Sequence, residues 1–147
     1  MNVRIMTTTD YEQVYALWLD TPGMGINSID DTADGVAKYL ARNPTTCFVV
    51  EHGGVIIGVI LSGHDGRRGF IHHTAVARSA QRQGVGEALL GAAMSALERE
   101  GINKVSLVVY GKNEKGNAFW EKHGFTERND LIYRNKEIVA SVRISTG

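Results

Sequence analysis

Apolar positions change their spacing several times along the chain, and each change marks an element. Val3 to Met6 reads as a short strand, and Thr9-Asp10-Tyr11-Glu12 as a capping box that satisfies the free N–H groups of a helix start. Tyr11, Val14, Tyr15 and Trp18 then recur at helical spacing as far as Asp20. Pro22, Gly23 and Gly25 exclude regular structure between Thr21 and Asn27, and Asp30 and Asp31 are placed to cap a second helix that runs through Arg42 and stops at Pro44. Cys47–Glu51 and Val55–Leu61 are β-branched runs joined by His52-Gly53-Gly54, and the turn from Gly63 to Gly69 leads into a third run, Phe70–Val76. These three runs predict a meander.

From Gly84 to Glu100, the residues Val85, Ala88, Leu89, Ala92, Ala96 and Leu97 make one face of a long helix that Gly101 closes. Lys104–Tyr110 is nearly continuous in apolar residues, which predicts a strand covered on both faces, and Asn113–His123 predicts a helix ending at Gly124. Thr126–Arg128 and Leu131–Asn135 are expected to close the sheet as a hairpin around Asn129-Asp130. Ile138, Ala140, Val142 and Ile144 alternate with more polar neighbours, which predicts a further strand or an edge that pairs between two subunits of a homodimer. The order β-α-α-β-β-β-α-β-α-β-β defines an α/β chain with a mixed sheet and helices on both faces.

Composition narrows the function classes. A chain of 147 residues suits one domain, here residues 1–147 with a core of about 3–136 and a tail at 137–147. Sixteen Lys and Arg against sixteen Asp and Glu provide no basic coat for nucleic acid, and no apolar run approaches the roughly 20 residues of a membrane helix. The start, Met-Asn-Val-Arg-Ile-Met, lacks the apolar stretch of a secretory signal, and Cys47 stands alone, so a cytoplasmic location is expected. The charge is nevertheless polarised: residues 1–40 hold six acids and two Lys or Arg, whereas residues 66–86 hold four Arg and no acid.

That cationic stretch contains Gln81-Arg82-Gln83-Gly84-Val85-Gly86, where a strand has ended and the long helix begins. Glycines there let a ligand approach the backbone, and the free N–H groups of a first helical turn attract an anion. A dinucleotide fingerprint would need Gly where Leu89 stands, and the phosphate-loop spacing of Gly111 to Gly116 is followed by Asn117 instead of Lys. With no His-Glu-x-x-His and one Cys, no metal site is expected.

Gln81, Gly84 and Gly86 resemble the pyrophosphate signature of the GNAT superfamily of N-acetyltransferases, Gln/Arg-x-x-Gly-x-Gly/Ala. Thr74-Ala75-Val76 resembles that family's fourth strand, and Asn113 followed by Ala118-Phe119-Trp120-Glu121-Lys122-His123-Gly124-Phe125 resembles its late signature, so the likeness spans about Val3 to Lys136. It implies a GNAT fold with a sheet that splays between the family's strands four and five, acetyl-CoA as co-substrate, and direct attack of a primary amine on the thioester in a ternary complex. By the same resemblance Thr74, Ala75 and Val76 hold pantetheine. Gln81, Arg82, Gln83, Gly84, Val85 and Gly86 hold pyrophosphate, and Asn113 lies beside the distal arm. Backbone N–H donors near Val76 are then placed to stabilise an oxyanion, and each such donor is worth about 3 kcal/mol in related chemistry.

The family's general-acid Tyr position is Trp120 here, whose indole cannot release a proton, and a strand-five Glu used as base in one branch corresponds to Val108. Tyr110 and Tyr133 are the alternative acids, and His72 or His73, expected on opposite faces of one strand, the alternative bases. Asp20, Asp30, Asp31 and Asp34 flank the loop that, by the same resemblance, borders the acceptor site and are placed to attract a cationic amine, and Arg67 stands in the Asp65-Gly66-Arg67-Arg68-Gly69 turn; Asp20, Asp30 and Arg67 are the candidate substrate contacts. A small-molecule amine is the leading acceptor. A protein Lys or N-terminus, or a non-catalytic acyl-CoA-binding module, is the alternative.

Overall fold

The structure, a computed structural model, describes residues 1–146. Its strands are β1 (Asn2–Ile5), β2 (Ile26–Asn27), β3 (Phe48–His52), β4 (Val55–His64), β5 (Gly69–Val76), β6 (Val105–Leu107) and β7 (Arg143–Ile144). The helices are α1 (Tyr11–Leu19), α2 (Ala33–Arg42), α3 (Val85–Arg99) and α4 (Glu114–Lys122), with short 3-10 turns at Thr8–Asp10 and Arg78–Ala80. One sheet has the order β1-β3-β4-β5-β6, antiparallel throughout except for the parallel β5–β6 pair. The strand expected to hold pantetheine is therefore β5, and its splaying partner is β6.

Helices cover both faces of this sheet. On one face α1 and α2 bury Val14, Trp18, Val36 and Leu40 against Val49 and Val59. On the other, α3 buries Val85, Leu89 and Ala93 against Val50, Ile60 and Ile71. Each such side chain contributes ~1.5–3 kcal/mol when fully removed from water. Gly58 lets α3 come close to β4, since a Cβ there would lie 2.6 Å from the Val85 Cγ1 and 3.0 Å from the Leu89 Cδ1.

Both helix starts differ from the expected caps. The Thr7 N–H donates to the Asp10 carboxylate at 2.8 Å and the Asp10 N–H to the Thr7 carbonyl, so the first turn begins at Thr7 and not Thr9. Arg4 draws Asp10 into this position, bonding it at 2.8 and 2.9 Å while its Nε reaches Glu51 on β3 at 2.9 Å. In α2 the cap is Thr32, whose hydroxyl accepts from the Gly35 N–H at 3.0 Å. Asp31 is turned inward instead.

The C-terminal third departs furthest from the expected pattern. The strand predicted over Lys104–Tyr110 pairs only at Val105–Leu107, and Val108 is exposed, so it is not covered on both faces. No hairpin forms at Thr126–Asn135: Leu131, Ile132 and Tyr133 are all exposed and no cross-strand partner buries them. Of the alternating run from Ile138, Arg143 and Ile144 pair with Asn27 and Ile26, while Ile138 is wholly exposed. The tail thus returns to the α1–α2 connection and not to the sheet; its final residue, Gly147, lies outside the described residues.

Candidate active site

The parallel β5–β6 register runs Gly69–Val105, Phe70–Ser106 and Ile71–Leu107 and then stops, although β5 continues to Val76. From His72 onward this edge of β5 has no neighbouring strand. The opened stretch is about 13 Å long from His72 to Val76 at the usual strand rise. It carries the buried Thr74 hydroxyl, which has no hydrogen-bond partner among the described residues. Ala75 packs on the α1 side and Val76 on the α3 side, as strand alternation requires.

Beyond Val76 the chain makes one 3-10 turn and enters the Gly-rich loop. Gly84 is the N-terminal cap of α3 with φ +79°, and Arg82 has φ +64°, a left-handed conformation that non-Gly residues adopt at a cost of order 1 kcal/mol. A Cβ on Gly84 would meet nothing within 4 Å, so its α-carbon faces open space. The first helical N–H groups, from Val85 to Glu87, precede the first α3 bond, Ala88 N–H to the Gly84 carbonyl. Gly86 has a different reason to be glycine: its Cβ would sit 3.1 Å from the Phe119 ring of α4. Gln81 lies in the exposed loop, while the Gln83 amide folds back onto the Ser79 carbonyl at 3.3 Å. A strained loop, free first-turn donors, open space at Gly84 and an orphaned hydroxyl in the adjoining cleft fit an extended ligand that ends in a phosphate group.

Asn113 caps α4, its side-chain oxygen accepting from the Gly116 N–H at 2.9 Å. Trp120 packs edge-on between Phe119 and Phe125, with ring centroids 5.0 and 5.3 Å away. Tyr110 leans across to the α1–α2 connection, since a Cβ on Gly25 would meet its hydroxyl at 3.1 Å, and the Arg143 guanidinium lies 5.2 Å from its ring centre.

The α1/α2 side of β5 holds the two histidines, and together. The β4–β5 register passes from Leu61–His73 to Ser62–Ile71, so His72 is the extra residue of a β-bulge. The bulge breaks the alternation that predicts opposite faces: His72 meets Tyr39 of α2, and His73 meets Trp18 of α1. The His73 Nε2 lies 2.8 Å from the Asp31 Oδ1, with Asp31 buried and His73 half-buried. The other Asp31 oxygen accepts the Asn27 N–H at 2.8 Å, and its carbonyl accepts the Tyr11 hydroxyl at 2.7 Å. The Trp18 Nε1 and His73 Nδ1 are buried without partners among the described residues. The His72 Nδ1 lies 2.9 Å from the Tyr39 hydroxyl. Although His72 keeps solvent access, desolvation by the rings packed on it, and then the charge of His73, lower its pKa from 6.5, against the opposing pull of Asp31 and Asp30. Burial raises the Tyr39 phenol well above its usual range.

Three of the predicted residues, Tyr133, Arg67 and Asp20, are not brought to this place. Tyr133 is exposed on the tail and meets only Asn135. Arg67 sits in a solvated turn closed by Asp65, beyond the Gly69 end of β5 and about 23 Å of strand away from Val76. Asp20 faces Arg78 beside the Gly-rich loop, with its Oδ2 3.8 Å from the Arg78 Nε. Asp30 is exposed and accepts from the Asn27 amide at 3.0 Å. The residue missed is Tyr39, which nothing local marks; Asp31 was among the acids expected to flank the acceptor loop, but its bond to His73 was not foreseen. Cys47 is inert, its thiol buried and pushed up to about 12. No group of three His, Cys, Asp or Glu is arranged to hold a metal ion among the described residues.

A strand that parts from its parallel neighbour and runs into a Gly-capped helix start is the arrangement of an acyl-CoA-using acetyltransferase. Residues 11–125 match the Acetyltransferase (GNAT) family, and the chain belongs to it; it is an acetyl-CoA-dependent N-acetyltransferase. An acetyltransferase of Photorhabdus laumondii is 28% identical over 145 residues, covering 95% of this chain and 97% of that one. The PaiA N-acetyltransferase of Thermoplasma acidophilum in complex with coenzyme A superposes with TM-score 0.74 at 17% identity, over 85% of this chain and 89% of the other. The aminoglycoside enzyme AAC(6')-Iy in complex with a CoA-linked acetylneamine analogue does so with TM-score 0.72 at 20% identity, over 92% and 97%. Among the described residues no helix is long and apolar enough to cross a membrane.

Proposed function

We propose that this chain, as a single domain, acetylates the primary amine of a small molecule by direct attack within a ternary complex. The observation that carries this reading is the position of the opened β5 edge. One side leads to the Gly84 helix start, and the other faces a loop with Asp30 and Asp31. Acetyl-CoA supplies the activated acetyl group. On this reading the first-turn N–H groups of α3, with Gln81 and Arg82, bind its pyrophosphate, and the edge from Thr74 to Val76 orients the pantetheine arm. The backbone donors near Val76 polarise the thioester carbonyl, and Asn113 keeps the start of α4 beside the arm. The acidic loop attracts a cationic acceptor and Tyr110 borders it. A bis-cationic or polyamino compound suits this balance better than an acidic one.

Thermal shifts measured side by side with acetyl-CoA, CoA, ATP and NAD test the cofactor half. A ligand at a hundred times its dissociation constant adds about 2.7 kcal/mol, and only the CoA species are expected to stabilise. Thiol release is then followed across arylalkylamines, diamines, aminoglycosides and peptides with free N-termini. Turnover of the peptides alone overturns the small-molecule assignment, and CoA binding with no turnover of any amine identifies a non-catalytic binding module.

A further inference from the structure

We propose that His72 is a catalytic residue that takes the proton from the acceptor amine through its Nε2, with Tyr39 holding the other ring nitrogen. This rests on the reading of the chain as an amine acetyltransferase.

Place is the first ground. His72 is the residue next after the last β5–β6 pair, so it stands at the apex of the opening. The bulge turns it toward the side that carries the acidic loop. Access is the second. His72 is exposed, whereas His73 is half-buried, bonded to Asp31 and in edge contact with Trp18, its ring centroid 4.9 Å away. His73 therefore ties the acceptor loop to β5 and is a positioning residue. Orientation is the third. Tyr39, with its hydroxyl at 2.9 Å and its ring at 5.2 Å, and the Phe70 ring at 4.7 Å fix the orientation of the imidazole.

In the tautomer that does this work, the Nδ1–H of His72 donates to the Tyr39 oxygen and the Nε2 lone pair points out. An N–H bond of the acceptor breaks, its proton forms the Nε2–H bond, and the freed lone pair stays on the amine nitrogen for the new C–N bond. The imidazolium keeps its Nδ1–H on Tyr39 and later returns the Nε2 proton to solvent. A lowered pKa keeps His72 unprotonated at neutral pH; its charged or titratable neighbours are His73 on β5, Tyr39 on α2, and Asp30 and Asp31 on the loop before α2. An alkylammonium loses its proton to such a base uphill by about four pK units, so the free amine is a minor species, drawn off as its lone pair forms the C–N bond and the thioester C–S bond breaks to release the thiolate.

The experiment uses the full chain, the variants His72→Gln and His73→Gln, and two readouts. The first is carbethoxylation by diethyl pyrocarbonate, resolved by peptide mass spectrometry. His72 is expected to react at least tenfold faster than His73 at pH 7, with a rate that titrates below 6.5. The second is the pH profile of acetyl transfer to the fastest amine of the panel. His72→Gln is expected to lower kcat/KM by about 100-fold and to flatten the acidic limb, with CoA affinity kept within twofold by calorimetry. His73→Gln retains that limb and lowers Tm instead. Equal or slower modification of His72, or an intact limb in His72→Gln, overturns the proposal. If no amine is turned over, the modification rates still decide the chemical state of His72, while the absence of CoA stabilisation would sink the functional reading separately.

Discussion

The passage from β5 into α3 and the chain beyond Leu107 both carry patterned apolar residues and are opposite in outcome. The first is built of near neighbours: a strand, one tight turn, a left-handed glycine and a 15-residue helix whose apolar stripe has a sheet face waiting for it. The second ends its strand after three residues and leaves Leu131, Ile132, Tyr133, Ile138 and Val139 in solvent. Alternating apolar residues create a strand only where an edge at the right register accepts them. For the tail the accepting edge is β2, two residues long, so only Arg143 and Ile144 pair.

Substitutions sharpen this contrast. Gly84→Asp places a like charge in the open space facing the helix start, and is expected to weaken CoA binding by 100-fold or more in calorimetry, about 2.7 kcal/mol. It lowers stability by only about 1 kcal/mol, since its cost in the free protein is the positive φ alone. Gly58→Ala acts in the reverse sense. It pushes α3 off β4 and is expected to lower unfolding free energy by about 2 kcal/mol in denaturant titration, with a smaller effect on CoA affinity.

Arg4→Ala, which frees the nearly buried Asp10, is expected to cost about 1–2 kcal/mol, discounted for the partly exposed guanidinium. Burial alone would raise the Asp10 pKa, but the bonds from Arg4 and Thr7 outweigh it and hold the carboxyl below 3.8. Its contribution is therefore full above pH 3.8 and lost as pH falls through the lower folded value. Melts between pH 5 and 2 are expected to show less acid sensitivity in Asp10→Asn than in the native chain. Smallest of all, Ile138→Ser removes a side chain that is wholly exposed and is expected to change stability by less than about 0.5 kcal/mol. A larger loss there would mean the tail is packed in solution and would erase the contrast.

Much of the passage from β5 into α3 was legible because its signals are short-range. The loop at Gln81–Gly86, the stripe of α3 and the meander before it each follow from spacing within a few residues. The α1/α2 side of β5 was legible only in its ingredients. Asp31 and His73 meet across 42 positions, and Tyr39 and His72 across 33, so no window of sequence contains either pair. The bulge at His72 adds a second obstacle, because one extra residue reverses the face that alternation assigns. Asp10 shows the same competition at the first helix: its partner Arg4 lies six residues back, in a strand, and moves the start from Thr9 to Thr7.

The two glycines of the loop are held by unlike pressures, which matters for how such a sequence drifts. Gly84 answers to whatever enters the open space before it, whereas Gly86 answers to the Phe119 ring of α4. A lineage that trims Phe119 frees Gly86 to become alanine without touching the open space before Gly84, and no partner substitution inside the fold releases Gly84 in the same way. Related chains should therefore show coupled change at positions 86 and 119, with position 84 varying only in lineages that no longer handle acyl-CoA.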